Sequence, residues 1–116
     1  MEEKRIPAQF YKNENGTEPV RDWLKDLDKE DRKLIGADIK TVEIGWPIGM
    51  PTCRPMGKGL FEVRTNLPQG RKAGVLFCIY DEKMILLNGF IKKTQKTPQK
   101  ELELALERKQ KPEAQR

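Results

Sequence analysis

The chain has 116 residues, 36% hydrophobic, 35% charged and only 7% aromatic, which fits one domain with a small core inside a heavily charged shell. Its formal net charge is +5 and its pI about 9.3, a balance that permits contact with nucleic acid or an anionic surface without requiring it. No histidine is present, which excludes the usual general base, the commonest zinc ligand and every Ser-His or Cys-His nucleophile scheme.

Cys53 and Cys78 stand in unlike contexts, one after a Pro-Thr turn and one inside an apolar run. Their spacing is that of neither a metal site nor a disulfide framework, and Cys78 reads as a small buried hydrophobe. No stretch has the length of a transmembrane helix, and the start, MEEKRIPAQF, is too polar for a signal peptide. A cytoplasmic protein is expected.

In chain order, Ile6 to Lys12 alternates as a short first strand, and Asn13–Gly16 is a turn cluster. Thr17 is placed to cap a helix in which Val20, Trp23, Leu24 and Leu27 fall at i, i+3, i+4 and i+7. Trp23 lies on that stripe and so belongs to the core. Asp28 is placed to cap a second helix, with Ile35, Ile39 and Val42 on one face, ended by Gly45 and Pro47. Two helices so closely joined form a hairpin. Residues 46–59 read as a loop with a short edge strand around Cys53 to Pro55.

Leu60 to Arg64 alternates, with Phe61 and Val63 on one face and Glu62 and Arg64 on the other. Leu67–Gly70 turns the chain into an apolar strand, Gly74–Tyr80. Asp81–Lys83 then leads to Met84–Ile91, an apolar run that suits a buried strand. Three strands with short turns predict an antiparallel meander. The last strand stops at Lys92 and Lys93. Thr97 is placed to cap, and Pro98 to begin, a final helix with Leu102, Ala105 and Leu106 on one stripe. After Gln110 a charged tail is expected to fray.

The fold class is therefore α+β, a single domain over 1–116. A two-helix hairpin packs on an antiparallel sheet, and a third helix covers it. Arg64, Arg71, Lys72, Lys92 and Lys93 lie in or beside the meander, where they suit a phosphate backbone; the plainer reading is that they solubilise strand ends.

LFEVR at Leu60 to Arg64, VLFCIY at Val75 to Tyr80, LLNGFIKKTQKTPQKELELA from Leu86 to Ala105, and PVRDWL at Pro19 to Leu24 together resemble the HigB-type toxins of the RelE superfamily. The resemblance spans about Phe10 to Lys109 and matches the derived order of elements. It implies a RelE-like fold and a ribosome-dependent mRNA endonuclease, free of metal and cofactor. The implied partners are the ribosome, its messenger, and a helix-turn-helix antitoxin of the HigA kind that silences the toxin; no membrane is involved. A ribose 2′-hydroxyl would attack the adjacent phosphate. That chemistry needs a base, positive charge on the pentacoordinate phosphate, and an acid for the leaving oxygen.

By this resemblance Arg64 is the transition-state cation, and Lys92 and Lys93 are the cations after the last strand. Lys58, Lys72 and Lys96 would bind RNA. A lysine of lowered pKa or Glu62 would be the base, and Tyr80 a candidate acid. One departure stands out: many relatives carry an arginine where this chain has Gly74, and Arg71 is the residue considered as its replacement. The competing readings are a weakened member that binds antitoxin or RNA without cutting and, on basicity alone, a phage structural or DNA-associated protein.

Overall fold

Both apolar runs, Val75–Tyr80 and Met84–Leu87, lie in a five-stranded sheet, and they are apolar throughout because both faces of that sheet are covered. The computed structural model describes residues 3–94 and 96–111; residues 112–116 of the tail expected to fray lie outside them. The elements are β1 (Ala8–Phe10), α1 (Pro19–Asp26), α2 (Lys29–Gly45), β2 (Cys53–Gly57), β3 (Leu60–Asn66), β4 (Lys72–Tyr80), β5 (Lys83–Lys92) and α3 (Gln99–Lys109). Spatial order in the sheet is β1-β5-β4-β3-β2. The α+β architecture, the helix hairpin, the meander and the edge strand agree with expectation.

The sheet is not wholly antiparallel. β1 pairs in parallel with β5, Ala8 opposite Met84, across a long connection that holds both helices and strands β2 to β4. β1 is also shorter than Ile6 to Lys12. The amides of Arg5 and Ile6 donate to the Glu43 carbonyl, and the Ala8 amide to the Glu43 carboxylate at 2.6 Å. The end of α2, not the sheet, thus holds the start of the chain.

Two of the expected caps act differently. Glu18, not Thr17, occupies the position before α1, and no side chain caps that helix; the Thr17 amide instead closes a turn on Asn15 Oδ1. Asp28 does precede α2, but its carbonyl, not its carboxylate, receives the Arg32 amide.

Between the hairpin and the sheet lies the larger apolar cluster, built from Val20, Ile35, Ile39 and Val42 of the helices against Val63, Val75, Phe77, Met84 and Leu86. Trp46 packs edge-on to Phe61 and Phe77. Trp23 presses so close to Gly89 that a Cβ there would meet its ring at 2.5 Å, so only glycine fits beneath it. On the opposite face α3 closes a smaller cluster of Leu60, Leu76, Cys78, Ile85, Leu87, Phe90 and Ala105. Both cysteines are buried; burial pushes the Cys53 thiol up to about 11 and raises that of Cys78 as well, which makes them inert.

One irregularity matters for the site. Leu76 pairs with Asn88 and Phe77 with Leu86, leaving Leu87 as an extra residue in β5. Its carbonyl accepts a hydrogen bond from Arg108 Nη1 at 2.7 Å. This β-bulge places Leu87 and Asn88 consecutively on the α3 face and shifts the alternation of everything after them.

Candidate active site beneath the third helix

Alternation in β3 turns Phe61 and Val63 toward the hairpin and Glu62 and Arg64 toward α3, as expected. Glu62 is fully buried. Such a carboxylate is tolerated only when paired and hydrogen-bonded, and here both oxygens are engaged. Lys92 Nζ lies 3.4 Å from Oε1 and 3.2 Å from Oε2, the Thr97 hydroxyl donates to Oε2 at 2.7 Å, and Arg64 Nε stands 3.6 Å from Oε1. Thr97 Oγ1 in turn accepts from Lys92 Nζ at 3.0 Å.

Gly74 makes this meeting possible. It sits in β4 between Arg64 on β3 and Phe90 on β5, and a Cβ there would come within 2.7 Å of both Glu62 Oε2 and Phe90 Cζ. Glu62 and Lys92, from strands on either side of β4, therefore join over a backbone with no side chain. Burial, first of all, pulls the Lys92 amine below its ordinary pKa; the Glu62 charge opposes that shift, and the nearby Arg64 and Arg54 reinforce it. One carboxylate thus lies among three cations, so the site keeps positive charge in excess.

Two clefts flank it. One of about 410 Å³ is lined by Arg64, Thr65, Asn66 and Lys72 against Asp38 and Leu34 of α2. The other, about 380 Å³, lies between β2 and the start of α3 and is lined by Arg54, Met56, Lys96 and Thr97. Clefts of this size accommodate a nucleotide.

Of the expected site residues, Arg64, Glu62 and Lys92 come together, with exposed Lys93 next in the chain and Lys72 and Lys96 at the flanking clefts. Lys72 is steadied by Asn66 Oδ1 at 3.1 Å. Three others are elsewhere. Arg71 does not replace the arginine absent at position 74: its guanidinium grips Asp31 of α2 with two bonds of 2.8 and 3.1 Å, on the hairpin side. Tyr80 is six residues beyond Gly74 along β4, roughly 20 Å at ~3.3 Å per residue, too far to protonate a leaving group at Arg64. Lys58 lies in the β2–β3 turn at the opposite end of β3 from Arg64. Glu62 has both carboxylate oxygens engaged, by Lys92, Thr97 and Arg64, and so holds cations.

Arg54 and Thr97 are the residues that sequence reasoning did not place here. Arg54 pairs with Glu62 across β2 and β3 only because a bulge between Pro55 and Gly57 shifts the register; plain counting back from the Gly57-Lys58-Gly59 turn would set Pro55 opposite Glu62. Thr97 does not cap α3; Pro98 stands at the cap position and no side chain caps the helix. Among the described residues no cluster of cysteines and carboxylates is suited to hold a metal ion, and no helix is long and apolar enough to cross a membrane.

The protein is thus a small α+β domain with a cation-rich cluster on one sheet face. The family model described as Phage derived protein Gp49-like (DUF891) matches residues 22–110. The chain belongs to that family, which is RelE-like and toxin-like. No curated protein matches it.

Proposed function

We propose that this chain is a HigB-type toxin that cuts messenger RNA at the ribosome and is silenced by a helix-turn-helix antitoxin. The observation that carries the reading is the gathering of Arg64, Lys92 and Arg54 around buried Glu62 on one sheet face. In the reaction the ribose 2′-oxygen forms a bond to the adjacent phosphorus and the bond from phosphorus to the 5′-oxygen breaks. The 2′-hydroxyl gives up its proton and the 5′-oxygen gains one, leaving a cyclic phosphate and a 5′-hydroxyl. Arg64, part-exposed and oriented by Glu62, stabilises the extra negative charge on the pentacoordinate phosphate. Lys92 has an amine nearer to neutrality than an ordinary lysine and takes the proton-transfer role, with Lys93 and Lys96 holding the strand.

The test uses purified, antitoxin-free protein on programmed ribosomes, with messenger ends mapped by primer extension. Discrete cuts in the A site are expected, reduced about a hundred- to thousand-fold by Arg64→Ala. Undiminished cutting by that variant would remove Arg64 from the mechanism.

A second reading, a member that binds antitoxin or RNA without cutting, draws on Gly74, whose side-chain space is filled by Phe90 and Glu62 and holds no arginine. Ribosome binding without any cleavage by the folded wild-type protein would favour it.

A further inference from the structure

We infer that Thr97 is a positioning residue: its hydroxyl holds the Lys92 amine in place over Gly74 and ties the segment leading into α3 to the sheet. The inference builds on the proposed role of Lys92 and adds a residue that this role requires.

A Thr-Pro pair ahead of a helix is the pattern of a cap, yet this hydroxyl bonds to no α3 amide. Thr97 is instead buried, 5% exposed, and its oxygen has one acceptor and one donor within reach, Glu62 Oε2 at 2.7 Å and Lys92 Nζ at 3.0 Å. A hydroxyl can donate to one and accept from the other at once, so Thr97 closes a three-membered ring of hydrogen bonds with Glu62 and Lys92. Ammonium and hydroxyl come from the end of β5 and the lead of α3, five residues apart, and the carboxylate joins them from β3, 30 and 35 residues away. The ring fixes where Lys92 reaches and joins that position to the wall of the cleft shared with Arg54 and Lys96.

Among the described residues, the charged groups facing Lys92 include Glu62 and Arg64 from β3 and Arg54 from β2. Glu101, on the first turn of α3, is engaged by Asn88. Removing the Thr97 oxygen takes an acceptor from the ammonium and leaves those charges unchanged. The charged form of Lys92 is then less favoured, and its titration moves further down. Serine keeps the oxygen, while valine keeps the shape without it.

The experiment is NMR titration of lysine side-chain carbons in the wild type, Thr97→Val and Thr97→Ser, with the Lys92 signal assigned by its loss in Lys92→Arg. Single-turnover cleavage is followed across pH in parallel. In Thr97→Val the Lys92 midpoint should fall, with cleavage reduced at least about tenfold and its pH profile moving with the midpoint; Thr97→Ser should restore both. A folded Thr97→Val protein with an unchanged Lys92 midpoint overturns the inference, whatever the cleavage assay shows. If wild-type protein cleaves nothing, the proposed function fails, while the titration still decides the role of Thr97. Should the valine variant not fold, the wild type decides alone: Lys92 ammonium protons in slow exchange support the ring, and a fast-exchanging, random-coil-like Lys92 ends it.

Discussion

The two faces of the sheet are made from the same strands and do opposite things. Toward the hairpin, β3 and β4 present Val63, Val75 and Phe77 to an apolar cluster sealed by Val20, Ile35 and Val42. Toward α3, the next residues along are Glu62, Arg64 and Gly74, and the smaller apolar cluster ends where these charges begin. Because strand neighbours alternate in direction, the apolar face and the cation-bearing face are separated by a single residue step. Substitutions one position apart should therefore fall into different classes.

The largest stability effect belongs to the α3 face. Lys92→Met leaves the buried Glu62 without its close cation and should cost about 3–5 kcal/mol in urea denaturation. Adding Glu62→Leu to it should return most of that loss, since paired burial is expensive and a matched apolar pair is not. If the double variant is as unstable as the single, the two charges are not coupled.

On the hairpin face Ile35→Ala should cost about 2–5 kcal/mol by opening a cavity, yet leave cleavage per folded molecule unchanged. A loss of specific activity there would erase the division between the faces.

Gly74→Ala tests the boundary itself. Its Cβ would collide with Glu62 Oε2 and Phe90, so overpacking of about 1–3 kcal/mol is expected, accompanied by weaker cleavage as the ring is displaced.

The smallest effect is the pH response of the Asp31–Arg71 pair. The hydrogen bonds from Arg71 hold the Asp31 carboxyl below its ordinary 3.8. A depressed carboxylate contributes stability that is present above the unfolded value and lost as pH falls through the folded one. Stability should thus drop below about pH 3.8, and Arg71→Ala should flatten that limb in acid-denaturation curves without affecting cleavage.

Much of this division is legible in sequence. The alternation of Leu60–Arg64 correctly separates Phe61 and Val63 from Glu62 and Arg64, and the helical stripes name the residues that seal the hairpin face. Odd and even counting along one strand would also have set Arg71 and Gly74 on different faces and Tyr80 far from Arg64. Thr97 was not legible, because a cap and a buried partner call for the same hydroxyl, and only the fully buried carboxylate of Glu62 decides between them. Nor was the face that Lys92 takes: strict alternation from Met84 and Leu86, which face the hairpin, would send Phe90 and Lys92 to the hairpin as well.

They face α3 because Leu87 is one residue too many. The cation-bearing surface therefore depends on a count as well as on kinds of residue, much as a message depends on its reading frame. Straightening the strand with Leu87 kept in regular alternation would leave every charged residue in place in the sequence, yet carry Phe90 and Lys92 to the hairpin side of the sheet. Loss of one residue between Asn88 and Phe90 would turn Lys92 away from Glu62, whereas loss of the extra residue itself would only restore the plain alternation.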